Sequence, residues 1–250
     1  MNIGKCLGWL ILLVVAAYSH HAAAKDKLTI SAIEGGSIFV QVGKAVMTKV
    51  YKDAGLEVSF VDLPGKRAVV NANDGVTDGE LFRSIRASKL YENLVRLEPA
   101  AVTDEFAAYS VNVDGPINSV KELGQYSVAY RRGSTIPTKL TEGMRRFELD
   151  SFAQGVKLLQ SKRIDVMLYF KIPTTFNLRH KFSGSKIRRI SDKLIVVPLY
   201  HYLHKRNKHL VPRLETALRH ILDSGERDRI IDAVIARGGF DGDLAKLNLD

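Results

Sequence analysis

The residues best suited to binding an anion lie in a short loop near the middle of the chain. Arg131 precedes Gly133, Ser134 and Thr135, and Pro137 follows, where it predicts the first turn of a helix. N–H groups and hydroxyls at such a turn favour an anion, and a neighbouring arginine adds positive charge. The same pattern is also typical of an ordinary capped helix start.

Other candidates are polar or aromatic side chains near predicted strand ends and helix starts: Glu34, Ser37, Arg67, Arg83, Phe106, Tyr109 and Tyr169. Each arginine could offer paired donors to a carboxylate. The structural alternatives are a surface position for Arg67 and an ion pair with Asp78 for Arg83. Glu34 and Ser37 equally fit a turn and a helix cap, and aromatic residues at a crossing are more often core.

The chain shows no motif for catalysis or for metal binding. Ser134 has no G-x-S-x-G setting, and the histidines have no H-E-x-x-H spacing. His201 and His204 fall on a predicted strand, where residues three apart face opposite sides. We therefore expect a protein that is not an enzyme and has no cofactor and no metal.

The first 24 residues have the order of a secretory signal peptide. Lys5 is followed by an apolar run over 6–17 and by Ala22–Ala24. That run is about a dozen residues long, whereas about 20 are needed to span a bilayer. We expect cleavage after Ala24 and export to the periplasm. The single cysteine, Cys6, lies in this segment, so the mature chain should hold no disulfide and no thiolate-bound metal.

The charge balance is basic, with 37 Lys and Arg against 27 Asp and Glu. Much of the excess lies in two stretches, 181–189 and 204–213. Such stretches are usually solvated faces; the functional alternative is steering of an anionic ligand or attraction to an acidic membrane surface. For an exported chain we expect no nucleic-acid partner, and we expect a monomer.

Predicted strands and helices alternate along the chain. Residues 28–33 and 56–63 have strand patterns, with an amphipathic helix over 38–54 between them. Repetition of this unit predicts parallel sheets flanked by helices, with ligands at the carboxyl ends of the strands. Residues 101–111 form one long extended segment suited to cross between lobes, and 193–204 is the predicted return crossing. Two final helices are predicted over 210–223 and 226–237.

Five motifs, in order, resemble those of the bacterial extracellular solute-binding proteins of family 3. They are GVTDGELFR at 75–83, YENLVR at 91–96, INSVKEL at 117–123, GST at 133–135 and RID at 163–165. The resemblance implies an α/β protein with the two-lobed type II periplasmic-binding fold, each lobe a mostly parallel sheet flanked by helices, joined by two hinge crossings.

The resemblance also implies domain limits and a function. Lobe 1 is expected at 25–105 and 195–250, and lobe 2 at 106–194. The lobes would close on a small polar or anionic solute, an amino acid being one such solute, for a membrane permease of the ABC-transporter type or for a sensor. Amino-acid-binding members carry an arginine after the first crossing and an aspartate past the second-lobe "r-v-D" motif. Residues 102–109 contain no arginine and 166–171 contain no acid.

Two alternatives to a receptor remain at this point. One is an interaction protein whose cleft is vestigial and whose basic surface docks on a partner. The other is an enzyme on the same fold, which would need an acid and a base together in the cleft.

Overall fold

The structure is a computed structural model that describes residues 27–192 and 194–249. The predicted signal peptide at 1–24 lies outside the described residues. Within them, no helix combines the length and apolar character needed to cross a membrane.

The first part of the chain builds a sheet by repeating strand and helix. Its elements are β1 (Lys27–Ile33), α1 (Ile38–Asp53), β2 (Glu57–Leu63), α2 (Gly65–Asn73), β3 (Gly79–Arg83), α3 (Ala87–Leu90) and β4 (Leu94–Arg96). Strand β1 pairs in parallel with both β2 and β3, so the helices cross over the faces of the sheet, as the alternating pattern predicts.

The middle of the chain builds a second sheet. Its elements are β5 (Val102–Ser110), β6 (Val128–Arg131), α4 (Thr135–Leu140), β7 (Arg146–Leu149), α5 (Phe152–Gln160), β8 (Val166–Phe170), α6 (Lys171–His180) and β9 (Arg188–Arg189), with a 3₁₀ helix at Val120–Gln125. Strand β6 pairs in parallel with both β7 and β8.

The chain then returns along a single long strand, β10 (Ile195–His204). Residues 195–199 pair antiparallel with β5, and 200–204 pair with β3 and β4. The elements that follow are a 3₁₀ helix at Lys205–Leu210, α7 (Val211–Asp223), α8 (Glu226–Arg237) and a 3₁₀ helix at Leu244–Leu247.

The strand order is β2-β1-β3-β10-β5-β8-β6-β7. Strands β5 and β10 are the two crossings between two lobes, and the type II periplasmic-binding fold implied by the five motifs is confirmed. The exact lobe limits at 105–106 and 194–195 stay predictions, since the sheets continue through the crossing strands.

Each lobe has its own apolar core. In the first, one face of α1 buries Val42, Val46 and Val50 against the sheet and the last two helices. In the second, β5 alternates, so that Ala107 packs on one side of the sheet and Ala108 on the other. The short strands β4 and β7 were not predicted; three of the four β7 residues are exposed, which leaves little alternation to detect.

A buried histidine on the return crossing joins three elements of the first lobe. His201 is fully buried; its Nδ1 lies 2.9 Å from the Leu81 carbonyl oxygen, and its Nε2 lies 2.9 Å from the Tyr51 hydroxyl. The neutral ring satisfies both contacts if Nδ1 donates to the carbonyl and Nε2 accepts from the hydroxyl. Burial lowers the pKa of His201 from 6.5 to about 4.

We expect this histidine to weaken the fold in acid. The unfolded chain takes up a proton on this ring near pH 6.5 but the folded chain only near pH 4, so stability is complete above pH 6.5 and falls as the pH drops towards 4. The free energy of unfolding of wild type and of His201→Gln can be measured with urea at pH 7 and at pH 4. Between these two values, the free energy of unfolding should fall by about 3 kcal/mol more in wild type than in the variant. An identical pH dependence in the two proteins would contradict a depressed pKa for His201.

Candidate functional site

A small cleft lies where the two lobes face each other. Its volume is about 240 Å³. The first lobe contributes Ser37 and Phe39 at the start of α1, and the second lobe contributes Phe106, Arg131, Ser134, Leu168, Tyr169, Phe170 and Pro173. The second-lobe residues include the last residues of β6 and β8, which is where parallel sheets place ligands.

Aromatic rings line the cleft and connect the lobes. The ring centroids of Phe106 and Phe170 lie 3.9 Å apart in a stacked arrangement, and Phe170 stacks on Phe39 of the other lobe at 6.1 Å. The Phe39 ring meets Phe82 edge-on at 5.2 Å. Phe82 reaches this position because α1 carries a glycine there: a Cβ at Gly43 would lie 1.8 Å from the Phe82 ring. We call the four phenylalanines Phe39, Phe82, Phe106 and Phe170 the aromatic row.

Two phenylalanines of the aromatic row lie in the segments without the charged residues of an amino-acid clamp. Phe106 stands in the crossing segment that lacks an arginine, and Phe170 ends the strand that lacks an acid. At these two places the cleft presents apolar ring faces. Such a surface favours an apolar ligand body.

Arg131 supplies the positive charge of the cleft. It ends β6 with an exposed side chain, and among the described residues its guanidinium has neither an ion pair nor a side-chain hydrogen bond. The adjacent Arg132 differs, because it is paired with Glu148 at 3.1 Å and Asp150 at 2.7 Å. Arg131 is therefore available to an anion, whereas Arg132 is already paired with two acids at the surface.

Hydroxyl groups flank the cleft on both lobes. Ser134 begins α4, and its side chain makes no capping hydrogen bond to this six-residue helix, so the hydroxyl is available. Ser37 accepts a 3.4 Å hydrogen bond from the Val40 N–H and so also serves as the cap of α1. Tyr169 packs its ring edge-on against Phe152 at 5.3 Å while lining the cleft.

The structure brings together half of the candidate residues predicted from the sequence: Ser37, Phe106, Arg131, Ser134 and Tyr169. The other candidates do not line the cleft: Glu34, Arg67, Arg83, Tyr109 and Thr135. Tyr109 is buried in the second-lobe core. Glu34, Arg67 and Thr135 are exposed, and the backbone N–H of Glu34 donates to the Leu63 carbonyl, which extends the parallel pairing of β1 with β2 by one residue.

Arg83 holds a buried carboxylate of the first lobe. Its Nη2 lies 2.7 Å from Glu80 Oε1 and donates to the Gly65 carbonyl at 2.6 Å. Glu80 is fully buried and also accepts a 2.6 Å hydrogen bond from the Ser31 hydroxyl. Burial raises the pKa of Glu80, and the Arg83 charge opposes that rise.

The alternative partner suggested for Arg83 was wrong. Asp78 pairs with Arg206 at 2.7 Å and accepts a hydrogen bond from the Thr29 N–H. Burial alone would raise the pKa of Asp78, but these two interactions contribute to a net decrease. The prediction that Arg83 forms an ion pair was correct, but its partner is Glu80 and not Asp78. Both acids lie within five residues of Arg83 in the sequence, so their spacing could not identify the partner.

Sequence reasoning missed four lining residues: Phe39, Leu168, Phe170 and Pro173. Phe39 is a large apolar residue of α1 that does not lie on the buried face of the helix. An apolar residue outside the helical period could have been identified from the sequence as a candidate for ligand contact. Phe170 is the last residue of its strand, so the carboxyl-end rule applied directly would have selected it.

Comparisons with solved structures agree on the fold. The second substrate-binding domain of GlnP from Lactococcus lactis, in an open conformation, superposes with a TM-score of 0.68 at 17% identity, covering 84% of this chain and 95% of that domain. The second substrate-binding domain of a putative amino-acid ABC transporter from Streptococcus pneumoniae gives 0.67 at 17% identity, covering 82% and 98%.

The unliganded L-cystine receptor of Neisseria gonorrhoeae gives a TM-score of 0.65 at 16% identity, covering 81% of this chain and 90% of the receptor. No protein-family model and no curated protein matches the sequence. At these identities the likeness establishes the fold alone.

We expect Arg83→Ala to damage stability and not ligand binding as such. Removing the arginine leaves the buried Glu80 carboxylate without its counter-charge, which costs about 3–5 kcal/mol. Arg67→Ala, an exposed position, should change the free energy of unfolding by less than about 0.5 kcal/mol. Chemical denaturation of both variants checks this. Equal stabilities would mean that the Glu80–Arg83 pair contributes nothing to the fold.

Proposed function

We propose that this protein is a periplasmic receptor that captures a small anionic solute with an apolar body and presents it to a transporter or a sensor. The observation that carries the proposal is Arg131, an unpaired arginine beside the stacked Phe106 and Phe170 rings. One end of the cleft attracts negative charge, and the rest offers flat apolar surface.

The size of the cleft narrows the class of solute. A volume of about 240 Å³ lies just below the roughly 300–1,000 Å³ of sites for drug-sized ligands. We therefore favour a compact monocarboxylate with an aromatic or branched aliphatic body. The free α-amino group of an amino acid would find no carboxylate among the described residues that line the cleft.

Closure of the two lobes supplies the mechanism. A solute in contact with Phe39 of the first lobe and with Arg131 and Ser134 of the second is held only when the lobes approach. Ligand binding therefore shifts the population towards the closed state. The size of this shift is set by how much more tightly the closed state binds the ligand than the open state does. The signal peptide expected from the sequence, together with the fold, supports delivery to a membrane partner.

One observation favours the alternative of an interaction protein with a vestigial cleft. The lobes touch each other directly, through the stack of Phe39 on Phe170 and through His180, whose Nε2 lies 2.5 Å from the Ile235 carbonyl oxygen. Such contacts could hold the lobes together permanently. An enzyme has less support, since none of the described residues lining the cleft is acidic and none is histidine, lysine or cysteine.

The test is calorimetric titration with benzoate, short branched carboxylates and matching amino acids. We expect a carboxylate to bind and Arg131→Ala to weaken it by about 10- to 100-fold, the usual loss for a hydrogen bond to a charged group. Arg132→Ala is the matched control and should bind as wild type, because Arg132 is committed to Glu148 and Asp150.

The outcomes separate the two functions. Binding that survives Arg131→Ala would contradict the assigned role of this arginine. No binding by any carboxylate or amino acid, together with scattering profiles that do not change on adding them, would favour the vestigial cleft.

A further inference from the structure

A second and larger cavity, of about 460 Å³, lies beside the hinge. Strands β5 and β10, which are the two crossings, form part of its wall, and the rest comes from α6 of the second lobe and α8 of the first. It shares no lining residue with the cleft. Its occupant would therefore touch both lobes without entering the proposed solute site.

An incompletely paired carboxylate faces this cavity. Asp104 is only 2% exposed, and its Oδ1 accepts hydrogen bonds from the N–H groups of Glu105 at 2.8 Å and Ile172 at 3.2 Å. Its Oδ2 is buried and has no hydrogen-bond partner of good geometry among the described residues. The Lys171 N–H also lowers the pKa of this carboxyl group but does not form a hydrogen bond of good geometry to Oδ2. A buried charge left in this way is costly unless a cation or a donor reaches it.

The nearby charged side chains leave this oxygen uncompensated. Glu105 is paired with Arg189 at 2.7 Å and Asp228 with Arg227 at 2.8 Å. The two remaining charged residues at the cavity, Lys171 and Asp232, form no ion pair within the described part of the chain. Among the described residues that line the cavity, two acids without an ion pair, Asp104 and Asp232, outnumber the one such base, Lys171.

The uncharged part of the wall is mainly aliphatic, with Thr103 and Thr175 as its two polar residues. Val196 is 46% exposed although it is a large hydrophobic residue, and Ile172, Ile231 and Ile235 also line the cavity. An exposed aliphatic surface beside a buried carboxylate matches a ligand with a cationic head and a hydrocarbon tail.

We propose that this hinge cavity binds a small primary alkylammonium ion, with its nitrogen on Asp104 Oδ2 and its hydrocarbon chain against Val196 and Ile231. The ammonium group supplies the donor that the buried oxygen lacks, and its charge balances the carboxylate. Because the cavity is formed by both crossings and both lobes, the bound amine also contacts both sides of the hinge.

The site requires Asp104 in its ionised form. Burial raises the pKa of Asp104 from 3.8 to about 6, an increase opposed by its backbone hydrogen bonds. The other charged groups at the cavity are Glu105 on β5, Lys171 on α6, and Arg227, Asp228 and Asp232 on α8. Amine affinity should therefore rise as the pH increases from 5 to 7, while Asp104 loses its proton.

The test titrates the purified protein with 1-aminopentane and with 1-pentanol, an uncharged probe of similar length, at pH 7.5. We expect saturable binding of the amine and none of the alcohol. Asp104→Asn keeps the shape of the side chain and removes its charge, and should weaken the amine by at least about 10-fold. Lys171→Gln removes a positive charge that repels the ammonium group, and should therefore strengthen binding of the amine.

Two controls keep the proposal falsifiable. Arg131→Ala should bind the amine as wild type, which separates this site from the cleft, and a melting curve of Asp104→Asn shows whether that variant is folded. The proposal is overturned if wild type shows no saturable amine binding, if Asp104→Asn binds equally well, or if Arg131→Ala abolishes binding.

Discussion

The pairing of β5 with β10 is the constraint on which the rest of this structure depends. The two strands run antiparallel from the Ile195–Phe106 pair to the Leu199–Val102 pair, and beyond it β10 continues into the first-lobe sheet. Both lobes are thus hydrogen-bonded to the same two segments. Any change in the angle between the lobes must be absorbed there, because the sheets on either side are close-packed and deform little.

The same short strand serves both sites. Phe106 of β5 stacks in the cleft, and two residues earlier Asp104 faces the hinge cavity and accepts the N–H of Ile172 near the start of α6. The last residue before that helix, Phe170, completes the stack. The proposed solute binding in the cleft and the proposed amine binding at the hinge would therefore both act on β5 and the β8–α6 junction. This shared contact region would give the two ligands a direct physical route to influence each other.

The cleft differs from a charged clamp in how it can select a ligand. An ion-pair clamp requires two buried charges to be desolvated, and rejects a ligand that lacks either partner because a charge is then left unpaired. Stacked rings require no such match, and so discriminate mainly by shape and size. In the function proposed here, one arginine at the rim would retain a charge requirement, while the rings would make the interior tolerant of different hydrocarbon bodies.

Tertiary contacts also change the meaning of the basic stretches. Within 181–189, Arg188 pairs with Asp114 at 2.5 Å and Arg189 with Glu105 at 2.7 Å, and within 204–213 Arg206 pairs with Asp78. Several of these charges therefore connect distant segments of the fold. This reduces the charge available to steer an anion or to attract a membrane surface, although the net balance stays positive.

By itself, the sequence determined the longer helices and strands and their order, although not the short strands β4 and β7. Periodicity placed α1, α7 and α8 to within a few residues, and five short motifs indicated the two-lobed fold, because these signals are local. It also identified Arg131, Ser134 and Phe106 as candidate site residues. Arg131 stands at the end of a strand, Ser134 just before a helix, and Phe106 in a crossing segment. Only the tertiary structure decided which acid pairs with Arg83, which phenylalanines meet across the lobes, and that Asp104 is buried with an unpaired oxygen. These properties depend on contacts between residues tens of positions apart, such as Phe39 with Phe170, and no local pattern encodes which distant side chain will occupy a given space.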